Sequence, residues 1–118
     1  MEEKQLLQQL VQAADDKKAE NIVALDMEGV SVIAKYFVVC NGGSEKQVDA
    51  IAQAVKKAAQ EQGFELKRLE GLDSSRWVLI DAGDIVVHVF HQEERQYYNL
   101  EKLWIDAKEV DVNSLLSV

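Results

Sequence analysis

The sequence predicts an α/β fold, a mixed five-stranded sheet with flanking helices. Three observations lead there. Apolar residues recur at helical spacing near the N-terminus and again between positions 48 and 59. Short runs rich in branched and aromatic residues lie between and after those stretches. The resulting order is helix, two strands, helix, three strands, helix, which suits helices packed on a mixed sheet.

The first helix rests on Leu6, Leu7, Leu10, Val11 and Ala14, with Glu2 and Glu3 before it and Lys17 and Lys18 after it, each charge matched to the helix dipole. "NIVALD" (21–26) and "YFVVC" (36–40) are the first two strands, the second largely buried, with Gly29 in the polar break between them. "NGGS" (41–44) breaks the pattern. Ser44 and Gln47 have capping-box spacing, Val48, Ile51, Ala52, Val55 and Ala59 form the stripe of a second helix, and Gly63 suits its C-terminal cap. From Phe64 the period changes. "FELKRL", "RWVLID" and "DIVVHVF" are three strands, the last two joined as a hairpin through "AG". Ile85 to Phe90 is apolar at nearly every position, as a central strand covered on both faces requires. Glu93 to Tyr98 suits a helical turn, and Leu100, Leu103, Trp104 and Ala107 repeat at helical spacing behind an Asn99 cap.

The chain of 118 residues is expected to form a single domain over residues 1–118, with 47% hydrophobic content to enclose a core. Thirteen Lys and Arg against 21 Asp and Glu give a formal net charge of −8, so attraction to a nucleic-acid backbone or an anionic membrane is disfavoured. A basic protein is the better-matched partner. Cys40 is the only cysteine, which rules out an intrachain disulfide. The acidic N-terminus lacks the basic and apolar regions of a secretory leader, and no apolar run approaches a membrane span. A cytoplasmic protein is expected.

Signals for catalysis are weak. His88 and His91 are separated by an odd offset, which places them on opposite faces of a continuous strand and argues against a shared metal ion. His88, flanked by Val86 and Phe90, is expected to be half-buried with a partner for its ring, and His91 to be a solvated strand end. Cys40 lies in an apolar run, where burial raises a thiol's pKa, and is expected in the core. The most enzyme-like feature is the Gly42-Gly43-Ser44 loop between a strand and a helix, a place where nucleotidyltransferases bind phosphate. Those enzymes hold magnesium with two alternating carboxylates on a later strand. Here "FELKR" puts Lys67 at the second position, and a lysine cannot ligate a divalent cation. Asp81 and Asp84 remain, but they flank the "AG" turn, where aspartate commonly caps the backbone. No cofactor, metal or catalytic residue is assigned.

Binding is better supported. Trp77, Tyr97, Tyr98 and Trp104 are four of the chain's eight aromatic residues, with Arg95 among them, and Tyr, Trp and Arg are enriched at interface hot spots. The helical periodicity with Leu100 and Leu103 favours Trp104 as core, docking the last helix on the sheet, whereas Trp77 suits the core or a surface anchor equally. Adjacent Tyr97 and Tyr98 cannot both face one core.

"EG" (70–71), "WVLIDAGDIVVHVF" (77–90), Arg95 and "YYNLEKLW" (97–104), with "YFVVCNGGSEKQVDAIA" upstream, resemble the ribosomal silencing factor family, also called Iojap-like. The match is long and ordered and covers most of the chain. One departure is Lys35, where the family commonly has an acid, and no role is carried over to that position. The resemblance implies a homodimer with nucleotidyltransferase-like topology and no enzymatic activity. It also implies binding to the large ribosomal subunit through the basic ribosomal protein uL-fourteen, which blocks subunit joining and represses translation when nutrients are scarce. The candidate partner-binding residues are Trp77, Tyr98 and Leu100 as apolar or aromatic anchors and Asp81, Arg95 and Glu101 as polar contacts, with His88 orienting the patch through a hydrogen bond. No membrane and no sequence-specific nucleic acid is expected as a partner. The alternatives are a nucleotidyltransferase-like enzyme using the Gly42-Gly43-Ser44 loop, or a generic dimeric interaction module.

Overall fold

Two amphipathic stripes build two helices, α1 over Glu3–Asp16 and α2 over Glu45–Glu61. The computed structural model describes residues 3–30, 32, 34–94 and 108–116. Within it every stripe residue is buried: Leu6, Leu7, Leu10, Val11 and Ala14 on α1, and Val48, Ile51, Ala52, Val55 and Ala59 on α2. Helices of 14 and 17 residues are marginal alone in water. Burial, at about 1.5–3 kcal/mol for each enclosed Leu, Ile or Val side chain, is what holds them.

The start of α2 is capped twice over. Ser44 Oγ accepts from Gln47 N at 3.1 Å, while Gln47 Oε1 accepts from Gly43 N at 2.7 Å, one residue before the amide that a simple capping box engages. Gln47 Nε2 also donates to the carbonyls of Lys18 (3.0 Å) and Lys17 (3.4 Å), tying the turn after α1 to the start of α2. Gly63, at φ +86°, ends the helix as its position predicts.

The strands are β1 (Glu20–Asp26), β2 (Tyr36–Gly42), β3 (Arg68–Glu70), β4 (Trp77–Asp81), β5 (Ile85–His91) and β6 (Lys108–Val110). They form one sheet in the order β3-β4-β5-β2-β1-β6. β2 and β5 pair in parallel at its centre and the other neighbours are antiparallel. β5 is buried from Ile85 to Phe90, as its continuous apolar run requires. The β4–β5 hairpin turns through Ala82 and Gly83. Asp81 Oδ1 accepts from Gly83 N at 2.9 Å, and the Asp84 carbonyl accepts from Lys35 N at 2.7 Å, which fastens the start of β2 to the turn. Cys40 is buried, as expected.

Four expectations are corrected. The sheet has six strands rather than five, because Lys108–Val110 adds to the β1 edge; three residues with two charges give no alternation from which to see a strand. The strand expected over "FELKRL" is confined to Arg68–Glu70. Phe64 and Leu66 pack against the core from an extended connection, so their alternation reflects burial without a pairing neighbour. The break expected at Asn41 begins at Gly43, since Asn41 and Gly42 still pair with Phe90 and His91. His91 is not a solvated strand end: its side chain is 12% exposed, and Nδ1 accepts from Glu93 N at 3.2 Å. Residues 92–94 are helical, in line with the expected turn, but the remainder of Glu93–Tyr98 and the Asn99–Ala107 helix lie outside the described residues. A short helix, Val112–Leu116, follows β6 and buries Leu115.

α1, α2 and the C-terminal helix all pack on one face of the sheet, over Ala24, Val38, Cys40, Val78, Ile80, Val87 and Val89. The strand registers carry the alternate residues to the other face: Trp77, Leu79 and Asp81 from β4; Val86, His88 and Phe90 from β5; Phe37, Val39 and Asn41 from β2. That second face carries the candidate site. No helix among the described residues is long and apolar enough to cross a membrane.

Candidate protein-interaction site

Trp77 opens β4 directly opposite Phe90. The two rings stack with centroids 4.9 Å apart, and with Val39 they form a small apolar cluster separate from the main core. His88 lies two pairs further along on the same face, opposite Leu79, and it is 7% exposed rather than half-buried. Trp77 Nε1 donates to His88 Nδ1 at 3.1 Å, so the imidazole does have the expected hydrogen-bond partner. Accepting at Nδ1 places the neutral ring's proton on Nε2. Phe37, 5.5 Å from His88 between ring centroids, closes the other side. Trp77 itself is half-buried: its inner face is held by Phe90 and its indole N–H by His88. Trp77 thus packs partly into this small cluster and is partly exposed, between the two placements expected for it.

Burial, and secondarily the positive charge of Arg68, pushes the His88 pKa down from 6.5 to about 4. A depressed histidine pKa means that the unfolded chain binds a proton the folded chain refuses. Stability is therefore complete above pH 6.5 and falls as pH drops from about 6.5 toward 4. Between pH 7 and 5 the expected loss is about 2 kcal/mol. Urea unfolding of the protein and of His88→Gln at both pH values checks this, with a flatter dependence expected in the variant.

Asp81 occupies the same face but the other end of β4, about 13 Å along the strand from Trp77. It is 8% exposed. One carboxylate oxygen accepts from Gly83 N, and the other lies 3.5 Å from Arg68 Nε. The structure thus brings Trp77 and His88 together and places Asp81 apart, engaged within its own turn. Arg95, Tyr98, Leu100 and Glu101 lie outside the described residues, as do Tyr97 and Trp104.

Beside Trp77 runs a groove of about 260 Å³ lined by Glu70, Gly71, Trp77 and Leu79. At Gly71 the turn passes close against β4: φ is +90°, and a Cβ there would lie 2.0 Å from the Trp77 carbonyl oxygen. At the other side of Trp77, Arg76 faces three carboxylates. Hydrogen bonds first to Glu94 and then to Glu93 raise the guanidinium pKa above its ordinary value. Neither Gly71 nor Arg76 stands out as a site residue in the sequence. The signal for Arg76 is the hairpin register, since pairing Trp77 with Phe90 necessarily sets residue 76 beside residue 91 and the acids that follow it.

The phosphate-type loop is filled from within. Gly43 N is taken by Gln47 Oε1 and Gln47 N by Ser44 Oγ, while a Cβ on Gly42 would meet Val48 N at 3.1 Å. Glu45 in the first turn adds a negative charge where a phosphate would sit. Among the described residues no group of three or more His, Cys, Asp or Glu is placed to hold a metal ion.

A family model described as "Ribosomal silencing factor during starvation" matches residues 1–117. The chain belongs to the ribosomal silencing factor family. It is 62% identical over 117 residues to the ribosomal silencing factor RsfS of Halalkalibacterium halodurans, covering 99% of this chain and 100% of that protein. It is 56% identical over 113 residues to the RsfS of Bacillus subtilis, covering 96% of each. A crystal structure of a Bacillus halodurans protein, 61% identical, superposes with a TM-score of 0.83 over 92% of this chain and 98% of that one. In this ribosomal silencing factor family member, the Trp77–His88 pair lies within the stretch whose residues carry the resemblance.

Proposed function

We propose that this protein is a non-enzymatic translational repressor that binds the large ribosomal subunit through the basic ribosomal protein uL-fourteen and sterically blocks association with the small subunit. It acts in the cytoplasm, as a homodimer. Membership of the silencing factor family across residues 1–117 is the observation that carries this reading.

The geometry supports it in three ways. Trp77 is a half-buried aromatic side chain held in place by its hydrogen bond, the type of residue that dominates interface energetics. Glu70 lines the groove beside it, and the chain as a whole has a formal net charge of −8, so long-range attraction favours a basic protein and disfavours bare rRNA. His88 serves the contact indirectly, by holding the indole. Arg95, Tyr98, Leu100 and Glu101 supply the remainder of the contact set, with Asp81 at its margin. The occupied amides around Gly43 and Ser44 weigh against a nucleotidyltransferase.

The direct test mixes purified large and small ribosomal subunits with and without the protein and follows them on a sucrose gradient. Co-migration with the large subunit and a fall in the joined peak are expected. If the protein stays at the top of the gradient and joining is unaffected, the proposal is wrong.

A further inference from the structure

One arginine ties together three parts of the chain. Arg76 Nε and Nη2 both donate to Glu94 Oε1, at 3.0 and 2.9 Å. Nη2 also donates to Glu93 Oε1 at 3.1 Å, and Nη1 to Glu45 Oε2 at 3.4 Å. The main-chain oxygen of the same residue accepts from His91 N at 2.8 Å. The first turn of α2, the end of β5 and the start of β4 therefore converge on residue 76. Its covalent neighbour is Trp77, and Glu94 directly precedes Arg95 in the chain.

Resting on the proposed contact of Trp77 with a basic protein, we infer that Arg76 is the positioning residue of that contact, a three-carboxylate clamp that fixes where β4 begins and so how the indole of Trp77 is presented. Trp77 is then held from two sides. His88 secures the ring through Nε1, and Arg76 secures the backbone from which the ring projects. The clamp is built to be sensitive to its cation. One guanidinium stands against three carboxylates, so its removal leaves Glu45, Glu93 and Glu94 converging without compensation, and their repulsion drives the three segments apart. A lone exposed ion pair would contribute little, but here a single planar group satisfies several acceptors in one geometry. Arg76 is also unsuited to lysine, whose single ammonium cannot reproduce the fork.

Two measurements on the full chain decide this. In the first, nuclear magnetic resonance of Arg76→Gln without any ribosome follows the Trp77 indole N–H and the His91 amide. We expect the indole resonance to move and His91 exchange to accelerate roughly tenfold, with core amides such as Val38 and Val87 unchanged. Unchanged Trp77 and His91 signals overturn the clamp, whatever the ribosome experiments give. In the second, titration against purified large subunits compares the protein with Arg76→Gln, Glu94→Gln and the double variant. Each single change is expected to weaken binding about threefold to tenfold, the double no more than the stronger single, and Arg76→Lys should fail to restore it. Weakening by Arg76→Gln with none by Glu94→Gln would mean that Arg76 touches the partner itself and would overturn the positioning role. Failure of the unsubstituted protein to bind large subunits would instead strike the proposed function, and the resonance measurement still judges the clamp.

Discussion

Gly71→Ala is expected to destabilise the protein by about 4 kcal/mol, combining backbone strain with a clash that the neighbouring strand must absorb. Positive φ alone does not explain such a figure. Gly63 has φ +86° and Gly71 φ +90°, nearly the same conformation, yet a Cβ at position 63 would meet nothing within 4 Å. At position 71 it would stand 2.0 Å from the Trp77 oxygen and 3.0 Å from its carbonyl carbon. Backbone atoms cannot rotate away as a side-chain tip would, so β4 must shift or the turn must open. Gly63→Ala is the matched control, with an expected cost of about 1 kcal/mol from strain alone. Thermal unfolding of both variants separates the two contributions: at about 4 °C per kcal/mol for a domain of this size, the Gly71 variant should melt some 15 °C lower and the Gly63 variant only a few degrees lower. Equal melting temperatures would show that the turn yields without cost. Because the clash falls on the carbonyl of Trp77, the Gly71 variant should also lose partner binding at temperatures where it remains folded.

The fold was legible where burial writes a period into the sequence. The stripes of α1 and α2, the cap at Ser44 and the doubly covered β5 each follow from residues whose side chains have only one place to go. The misreadings occur where pairing and burial part company. β6 pairs without burying much, so Lys108–Val110 carries no apolar signal, whereas Phe64 and Leu66 bury without pairing and imitate a strand. On the second face of the sheet, the pattern of residue types was enough to expect a hydrogen-bond partner for the His88 ring. Which group that partner was depended on cross-strand register, a relation between residues 11 positions apart that no local window contains. Arg76 was hidden for the same reason. An arginine before a strand and two glutamates after another are ordinary surface composition until the hairpin sets them side by side. Asp81 was legible by type and position alone; that its two oxygens engage Gly83 N and the Arg68 side chain again depended on the turn and on strand pairing.

On the proposed function, replacing Trp77 by alanine is expected to weaken binding to the large ribosomal subunit by about thirtyfold or more, the scale of a hot-spot aromatic. The substitution does not leave the fold untouched, because the indole stacks on Phe90 and donates to buried His88. Losing half the ring's burial and that hydrogen bond should cost about 3 kcal/mol. These two effects can be told apart by magnitude. Even if the parent protein had only about 5 kcal/mol of stability, the remaining 2 kcal/mol would keep more than nine-tenths of the variant folded, so unfolding could not account for a thirtyfold loss. Trp77→Phe sharpens the comparison. A phenyl ring preserves most of the stack on Phe90 but offers no N–H, leaving His88 Nδ1 without its donor and costing about 1–2 kcal/mol. If Trp77 is an anchor that reaches the partner with its outer edge, Trp77→Phe should bind with intermediate strength while Trp77→Ala barely binds. If the indole matters only for internal packing, binding per folded molecule should be unchanged in both variants, and the contact surface would have to be sought elsewhere on the protein.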